Sequence, residues 1–332
     1  MPPILEVTRK MKTLLEARKV TMVFRIGGLV FGSKLTAVDD VNLTLKEGEA
    51  KVLSLVGESG SGKTTLSRIL LGLIKPTKGR VTYRGNDIFK LKGARLMEFK
   101  REVQPIFQNP FEAFNILKKV DRYLLGTALN YKVAENEMEA KKRVDETLHF
   151  VGLSLEDIRG KYPHEFSGGE LQRASIARAL ITDPKILIAD EPVSMIDASL
   201  RMDIINILLD LKRKRDTSII YITHDLATAY YVSDDIAVMY RGSIIEYGSV
   251  EEVLTKPLHP YTKTLLECLP KPDPKDRWKE EVKLSGLEVK EFEALGCKFA
   301  NRCPHATSRC FQERPPTVNI EKRAVACWLF AN

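Results

Sequence analysis

The chain lacks the features of a secreted or membrane-spanning protein. Its 332 residues contain five cysteines, which are too few for a disulfide scaffold. No apolar run approaches the roughly 18 residues that a membrane span needs, and the N-terminus carries no secretion signal. We therefore expect a cytoplasmic protein, and any role at a membrane would require a partner.

The sequence also lacks a concentrated tract of one charge. Its formal net charge is +8, which suits contact with nucleic acid, contact with an anionic membrane face, or simply a solvated basic surface. Because lysine and arginine are spread along the chain, we expect a solvated or membrane-proximal surface and no nucleic-acid partner.

The stretch with the clearest chemistry is Gly57–Thr64, which fits the phosphate-binding pattern G-x-x-x-x-G-K-[ST]. Residues 52–56 before it predict a buried strand, and residues 65–71 after it predict a helix. Backbone N–H groups in such a loop and at the helix N-terminus bind anionic phosphate. Lys63 is expected to reach the β- and γ-phosphates of ATP, and the Thr64 hydroxyl is expected to bind Mg²⁺.

Strands alternate with helices along the chain, which predicts an α/β protein with a largely parallel sheet and its nucleotide at the carboxyl ends of the strands. Residues 80–84 predict an edge strand, and residues from about 111 to 165 predict an inserted helical subdomain. Since 332 residues exceed what one core usually holds, a second, appended domain is expected. The other predicted strands are residues 14–24, 37–45, 103–108, 185–189, 218–223, 236–240 and 243–247.

Two acidic residues, Asp190 and Glu191, follow the apolar strand at 185–189. A carboxylate at the end of a strand beside a P-loop suits a Mg²⁺ ligand, and we predict this role for Asp190. Glu191 is the predicted general base that polarises the attacking water.

A second anion-binding site is predicted where Ser167, Gly168 and Gly169 open an alanine-rich helix. A serine hydroxyl and bare backbone N–H groups at the start of a helix can hold an anion. An ordinary helix cap with flexible glycines has the same sequence, so this segment by itself leaves both interpretations open.

Together these motifs resemble those of ABC transporter ATPase subunits, over about residues 14–255. The resemblance implies a P-loop NTPase fold with a RecA-like core, an antiparallel β subdomain and a helical subdomain at about 111–170. Phe166 and Glu170 in the signature, and Ser-Met-Ile-Asp in the D-loop, are mild departures from the commonest sequences. The segments found in the family's order and spacing are Gly57–Thr64, Gln108, Ser167–Arg173, Asp190–Glu191, Ser194–Asp197 and His224.

The resemblance implies roles within the subunit's own nucleotide site. Gln108 is implied to contact Mg²⁺ and water and to sense the membrane partner, and His224 is implied to contact the γ-phosphate. Phe24 is the expected aromatic that stacks on adenine, with Phe31 as the alternative. The predicted ATP-binding residues are Phe24, Gly57, Glu58, Ser59, Gly60, Ser61, Gly62, Lys63, Thr64 and Thr65.

The resemblance also implies that the site needs a second subunit. The signature residues Ser167, Gly168, Gly169 and Glu170 are implied to contact the γ-phosphate of ATP bound to that subunit. Asp197 belongs to the D-loop at the same interface. Two subunits would close on two ATP molecules and open after hydrolysis.

The residues after the ATPase region indicate a narrower family. Lys256–Leu266 contains His-Pro-Tyr-Thr and by itself predicts a surface helix with a proline at its start. The segment closely resembles the tail in the oligopeptide, dipeptide and nickel importer family, and residues 63–66 and 106–110 resemble its second ATPase subunit. We expect an extension at 1–13, an ATPase domain at 14–255 and a C-terminal extension at 256–332, with an exposed linker near Pro270, Pro272 and Pro274.

The importer resemblance implies a heterodimer of two ATPase subunits, two permeases and an extracytoplasmic solute-binding protein. It places the chain as a peripheral protein on the cytoplasmic face of the membrane. The expected cargo is oligopeptide, with oligosaccharide or nickel as alternatives. A soluble ABC ATPase of nucleic-acid repair or translation is a second hypothesis. Proteins of that kind carry two cassettes in one chain or one cassette split by a long coiled coil, and this sequence resembles neither arrangement. An exporter ATPase is a third, although its fused membrane domain is absent here.

Four of the five cysteines lie in the last 36 residues with the spacing C-x₅-C-x₆-C-x₁₆-C. Four thiolates can enclose a [4Fe–4S] cluster or a Zn²⁺ ion, or they can remain reduced thiols in a small core. The importer resemblance implies an iron–sulfur centre, with zinc as the alternative. The expected ligands are Cys297, Cys303, Cys310 and Cys327, and the expected cofactors are this cluster, ATP and Mg²⁺.

Overall fold

A computed structural model describes residues 12–26, 33–268, 292 and 294–331. Most of the expected extension at 1–13 lies outside these residues, as do Phe31 and the prolines of the expected linker. Within the described ranges, none of the helices combines the length and apolar character that a membrane crossing requires.

The strands belong to two sheets. In chain order they are β1 (Thr13–Ile26), β2 (Ser33–Lys46), β3 (Val52–Val56), β4 (Lys78–Tyr83), β5 (Asn86–Asp87), β6 (Val103–Ile106), β7 (Ile186–Asp190), β8 (Ser218–Thr223), β9 (Asp235–Tyr240), β10 (Ser243–Ser249), β11 (Thr317–Ile320) and β12 (Arg323–Ala326).

Four of the described α-helices were not predicted from the sequence. One has a single buried position, Phe99, so it carries no apolar periodicity, and the other three are only five to seven residues long. In chain order the helices are α1 (Lys63–Leu70), α2 (Gly93–Glu102), α3 (Val120–Asn130), α4 (Glu137–Phe150), α5 (Leu155–Ile158), α6 (Gly168–Leu180), α7 (Ala198–Arg215), α8 (Leu226–Val232), α9 (Val250–Thr255), α10 (Pro260–Glu267) and α11 (Ser308–Gln312); α2, α8, α9 and α11 are the unpredicted ones.

The smaller sheet is antiparallel and has the strand order β2-β1-β4-β5. The prediction of an edge strand at 80–84 is wrong, because β4 lies between β1 and β5 and pairs with both. The two-residue strand β5 is too short to carry an alternating pattern, so only the folded chain reveals it as the edge.

The larger sheet is mixed and has the order β11-β12-β10-β9-β3-β8-β7-β6. The five strands β9, β3, β8, β7 and β6 pair in parallel with one another. Strands β10, β12 and β11 continue the sheet beyond β9 in antiparallel pairs. Strand β3 lies between β8 and β9, so the loop that follows it emerges at the middle of the carboxyl edge of the parallel strands.

Alternate residues of the parallel strands enter two different apolar cores, because successive side chains of a strand point to opposite faces. On β8, Ile219 and Tyr221 pack with the helical layer formed by α3, α4, α6 and α7. On the same strand, Ile220 and Ile222 pack with α1 and the antiparallel sheet. Both faces are thus covered, which explains why β3, β7 and β8 are buried at every position and mostly apolar rather than alternating.

The C-terminal residues join the larger sheet. Strand β12 pairs with β10 through Val325 and Glu246, and β11 pairs with β12. Helix α10 is no surface helix, contrary to the sequence prediction, since Tyr261 is fully buried with Phe299 in a third apolar core. The apolar partner that buries this helix comes from residues far along the chain, which the local pattern cannot reveal.

Candidate active site

The loop Gly57–Thr64 connects the buried strand β3 to helix α1 at the centre of the larger sheet. Gly57 and Gly62 have positive φ angles of 151° and 104°. A Cβ on Gly57 would lie 2.1 Å from the Met239 carbonyl oxygen, and one on Gly62 would lie 2.1 Å from that of Ala37. The two glycines therefore let neighbouring backbone approach the loop, in addition to freeing its conformation.

Lys63 folds back over the loop that precedes it. Its Nζ donates to the carbonyl oxygens of Gly57 and Glu58, both at 2.8 Å, and lies 3.3 Å from Ser61 Oγ. The side chain is 5% exposed, and burial lowers the pKa of its ammonium group while the nearby acidic groups oppose that shift. The ammonium is thus fixed beside the loop that is expected to bind phosphate.

Asp190 ends β7 and faces the start of α1. Its Oδ1 accepts from Thr64 Oγ1 at 3.4 Å, and its Oδ2 accepts from Ser67 Oγ at 3.2 Å. Burial raises the pKa of this carboxyl group, and the two hydroxyl donors counteract the shift. The sequence analysis missed Ser67, although its place three residues after Thr64 puts the two hydroxyls on one face of the helix.

Glu191 is the point where three separate segments meet. Gln108 Nε2 donates to Glu191 Oε2 at 3.1 Å, and His224 Nδ1 lies 3.0 Å from Glu191 Oε1. Glu191 adopts a left-handed φ of 44°, and its N–H donates to the Ile222 carbonyl at 2.8 Å. The structure therefore brings the predicted general base, glutamine and histidine into direct contact beside Asp190.

The segment 167–170 lies apart from this group in the same chain. Ser167 and Glu170 form a reciprocal capping box at the start of α6, with Ser167 Oγ at 2.7 Å from the Glu170 carboxylate. The hydrogen bonds from the Ser167 hydroxyl and backbone lower the pKa of Glu170. Among the described residues, no hydrogen bond joins this segment to the loop Gly57–Thr64, which is compatible with its expected use by another subunit.

The predicted D-loop lies beside this capping box. A Cβ on Gly168 would be 3.5 Å from the Met195 carbonyl oxygen, and one on Gly169 would be 3.0 Å from Leu200 Cδ1. Asp197 is exposed and precedes α7. Gln172 on α6 donates to the Pro192 carbonyl at 2.9 Å, so the signature helix is tied to the backbone that follows Glu191.

The expected adenine-stacking residue, Phe24, is half-buried on β1 and lies opposite Leu35 of β2. Its alternative, Phe31, lies outside the described residues. The assignment of Phe24 to adenine stays a prediction. Thr65 is half-buried in the first turn of α1, and Ser59 and Gly60 are exposed at the tip of the loop.

The expected iron–sulfur cluster is a wrong prediction, and its zinc alternative fails on the same ground. Cys297, Cys303, Cys310 and Cys327 are free and line one cavity of about 150 Å³. Within the described part of the chain, however, no three or more His, Cys, Asp or Glu side chains are grouped so that they could hold a metal ion. Sequence spacing placed the four residues near one another but could not orient their sulfur atoms.

These cysteines lie in half-buried, buried or hydrogen-bonded surroundings. Cys310 Sγ lies 3.5 Å from the Thr307 backbone nitrogen at the start of its own helix. Burial raises the pKa of Cys297 to about 11 and also raises the pKa values of Cys303 and Cys327.

Two family models match the sequence. The model described as "ABC transporter" matches residues 38–194. The one described as "Oligopeptide/dipeptide transporter, C-terminal region" matches residues 245–310. The second match covers α10 and Phe299, which packs on Tyr261, and it agrees with the resemblance noted for the His-Pro-Tyr-Thr segment.

Similar proteins of known name are peptide transport ATP-binding proteins. The chain is 40% identical over 295 residues to the oligopeptide transport ATP-binding protein OppF of Salmonella typhimurium, covering 88% of this chain and 87% of that protein. It is 37% identical to the di/tripeptide transport ATP-binding protein DppF of Pseudomonas aeruginosa, with 96% and 98% covered. These relatives are named for peptides, so the alternative prediction of sugar transport is wrong.

A solved structure shares the fold. The ATP-binding cassette MJ0796, described as dimeric in a post-hydrolysis state bound to ADP and Pi, is 27% identical with a TM-score of 0.63. The match covers 71% of this chain and 99% of that chain. The prediction of an α/β P-loop ATPase fold is thereby confirmed.

Proposed function

This chain belongs to the family of oligopeptide and dipeptide transport ATP-binding proteins, and from that membership we propose that it hydrolyses ATP to power peptide import. Members of this family are ATPases coupled to transport. The observation that carries the mechanism is the contact of Glu191 with Gln108 and His224, beside the loop that ends in Lys63 and Thr64.

The loop Gly57–Thr64 is the proposed phosphate site. Backbone N–H groups and the N-terminus of α1 supply positive potential, and Lys63 adds a fixed charge at the same place. Thr64 Oγ1 and Asp190 Oδ1, 3.4 Å apart, offer the two hard oxygen donors that suit Mg²⁺, which keeps several water ligands at such sites. Bound Mg²⁺ would neutralise charge on the phosphates.

Glu191 is the proposed general base. Its carboxylate accepts from Gln108 on one oxygen and meets His224 on the other, so its position is fixed from two sides. A water held between Glu191 and the phosphate site would lose its proton to the carboxylate as it attacks. His224, with its side chain 60% exposed, is free to turn toward the γ-phosphate.

The exposed segment 167–170 and the neighbouring Asp197 are proposed to complete the site of a second ATPase subunit. The reciprocal cap with Glu170 holds the Ser167 hydroxyl at the start of α6, where helix N–H groups attract anions. We propose a heterodimer with a homologous subunit, together with two membrane permeases and a solute-binding protein. Peripheral attachment to the cytoplasmic face follows from that assembly.

Three segments are proposed for the chain: residues 1–13 as an extension, 14–255 as the ATPase domain and 256–332 as a small cysteine-containing C-terminal unit. Strands β11 and β12 of that unit extend the sheet of the ATPase domain. Phe299 of the same unit packs in an apolar core with Tyr240 and Tyr261. A soluble ATPase of nucleic-acid repair or translation is not favoured, since the similar proteins are peptide transport subunits.

The test is ATP hydrolysis and peptide uptake by the complete complex reconstituted in vesicles. We expect peptides bound by the solute-binding protein to raise hydrolysis and to accumulate inside, and a complex carrying Glu191→Gln should do neither. Peptide-independent hydrolysis without uptake would contradict the import role while leaving the ATPase in place.

A further inference from the structure

The first variable residue of the phosphate loop, Glu58, is held by side chains from far along the chain. We propose that Tyr261 and Arg302, which both follow the ATPase domain, are positioning residues that keep the start of the loop in its ATP-binding form. The inference rests on the proposed role of Gly57–Thr64 in binding phosphate.

Tyr261 reaches the backbone of the loop. Its hydroxyl accepts a hydrogen bond from the Glu58 N–H at 3.0 Å, and the side chain is fully buried. Burial raises the pKa of this phenol, so it stays neutral at physiological pH. A buried N–H that loses its acceptor is costly, so this contact fixes the position of Glu58.

The segment that carries Tyr261 is itself held firmly. The buried carboxylate of Glu246 on β10 accepts from the N–H groups of Leu258 and His259, at 2.8 and 2.9 Å. His259 Nδ1 accepts from the Tyr261 N–H at 3.0 Å and caps α10. The Tyr261 ring packs on Tyr240, with centroids 4.5 Å apart. The hydroxyl is therefore aimed at the loop by several independent contacts.

Arg302 forms an ion pair with the side chain of Glu58. Its two terminal nitrogens lie 3.1 and 3.3 Å from the two carboxylate oxygens of Glu58. The guanidinium also lies over the rings of Tyr240 and Phe299, 5.9 and 5.6 Å from their centroids. A two-pronged pair of this kind fixes direction as well as distance, and only 16% of the Arg302 side chain is exposed.

Glu58 is also in direct contact with Lys63. The Glu58 carbonyl is one of the two backbone oxygens that accept from Lys63 Nζ at 2.8 Å. Tyr261, Glu58 and Lys63 thus form a continuous chain of hydrogen bonds that ends on the ammonium expected to bind phosphate. Loosening Glu58 would remove a fixed acceptor and let that ammonium leave its place.

A second contact from the C-terminal residues supports the other end of the loop. Lys298 Nζ donates to the Arg241 carbonyl at 2.7 Å and pairs with Asp39 at 2.8 Å. The next residue, Gly242, donates its N–H to the Ser61 carbonyl at 2.8 Å. The C-terminal residues therefore brace the loop on two sides, which a tail serving only its own stability would not require.

The experiment measures ATP binding by the full chain and ATP hydrolysis by the complete complex, for Tyr261→Phe, Arg302→Gln and the double variant. Tyr261→Phe removes one hydroxyl and keeps the ring packing. We expect ATP to bind about two- to tenfold more weakly in each single variant, with KM for ATP rising more than kcat falls. The double variant should lose less than the product of the single effects, because both residues act through Glu58.

Two matched variants control for general loss of structure. Tyr247→Phe removes a hydroxyl that contacts Asp235, and Arg309→Gln breaks a pair with Glu313 in the C-terminal residues. Both should bind ATP as the unchanged protein does. If Tyr261→Phe and Arg302→Gln lower the melting temperature but leave ATP binding unchanged, the positioning role is overturned.

Lys63→Ala separates this inference from the proposed function. If it abolishes ATP binding while Tyr261→Phe and Arg302→Gln bind normally, the loop is the nucleotide site and the positioning role is wrong. If Lys63→Ala binds ATP normally, the proposed site itself fails and the inference fails with it.

Discussion

At the scale of single residues, the proposed mechanism depends on the position of the Glu191 carboxylate. It follows the last residue of β7 and turns through a left-handed backbone conformation that non-glycine residues seldom adopt. Strain of this kind is retained where surrounding contacts fix it. Here the Ile222 carbonyl holds the Glu191 N–H, while Gln108 and His224 hold its carboxylate.

Replacing Glu191 by glutamine removes the proposed base and keeps the size of the side chain. We expect hydrolysis to slow by about 10²- to 10⁴-fold while ATP still binds, because the phosphate loop is untouched. Steady-state hydrolysis by the reconstituted complex and ATP binding by the full chain measure the two effects separately. Glu137→Gln, at an exposed position on α4, is the matched control, and near-normal turnover of Glu191→Gln would remove it from the role of base.

At the scale of elements, two helix starts share the same reciprocal cap, and a functional role is proposed for one of them. Helix α6 begins with the reciprocal cap of Ser167 and Glu170, and α5 begins with the same arrangement of Ser154 and Asp157. The two caps are chemically alike, so a comparison between them separates a capping role from a role in ATP hydrolysis.

We expect Ser167→Ala and Ser154→Ala each to lower the free energy of unfolding by about 1 kcal/mol, the usual value of a serine cap. Only Ser167→Ala should reduce ATP hydrolysis by the complex, because its hydroxyl is the one proposed to meet ATP on another subunit. Urea unfolding and hydrolysis assays on the same preparations check this. Equal hydrolysis by the two variants would assign Ser167 to capping alone.

Helix α10 begins with a buried histidine whose charge state is fixed. Burial lowers the pKa of His259 to about 3, whereas the pKa of histidine in an unfolded chain is about 6.5. Between these values the unfolded chain binds a proton that the folded chain does not, so stability falls as the pH falls. The carboxylate of Glu246 lies nearby and accepts a hydrogen bond from the backbone N–H of His259.

His259→Asn keeps a capping oxygen and removes the titrating ring. Between pH 6 and pH 4.5 we expect the unchanged protein to lose about 1.4 kcal/mol per pH unit more than the variant does. Urea unfolding at several pH values gives both slopes, and carboxylates common to the two proteins cancel in the comparison. Parallel slopes would mean that His259 titrates in the folded protein as freely as in the unfolded chain.

At the scale of the whole molecule, the C-terminal residues belong to the same folded unit as the ATPase sheet. Phe299 is 1% exposed and meets Tyr240 of β9 and Tyr261 of α10. This apolar contact, together with β12 on the edge of β10, joins the last forty or so residues to the nucleotide-binding half of the chain.

Phe299→Ala should therefore destabilise the whole protein by about 3 to 5 kcal/mol, the usual cost of truncating a buried phenylalanine. Phe311→Ala, at a position that is 53% exposed, should change stability by less than about 0.5 kcal/mol. Thermal unfolding followed by circular dichroism measures both. Separate melting of the C-terminal residues, with the main transition unchanged by Phe299→Ala, would contradict the joint core.

The sequence by itself determined the phosphate loop, the strand before it, the helix after it and the acidic pair at 190 and 191. These features are local, since each depends on residue types at fixed spacing within one turn or one strand. Helix α8 and strand β5 were missed because seven and two residues are too short to show a period. The same local reasoning predicted that α10 lies on the surface, whereas its Tyr261 is fully buried.

Only the tertiary structure decided which distant groups meet. The contacts of Glu191 with Gln108 and His224 span 83 and 33 residues, and the pair of Glu58 and Arg302 spans 244. The four cysteines, whose spacing alone suggested a cluster, form no group that could hold a metal ion among the described residues. Spacing along a chain fixes which residues are neighbours in a turn, whereas packing of separate elements fixes where their side chains point.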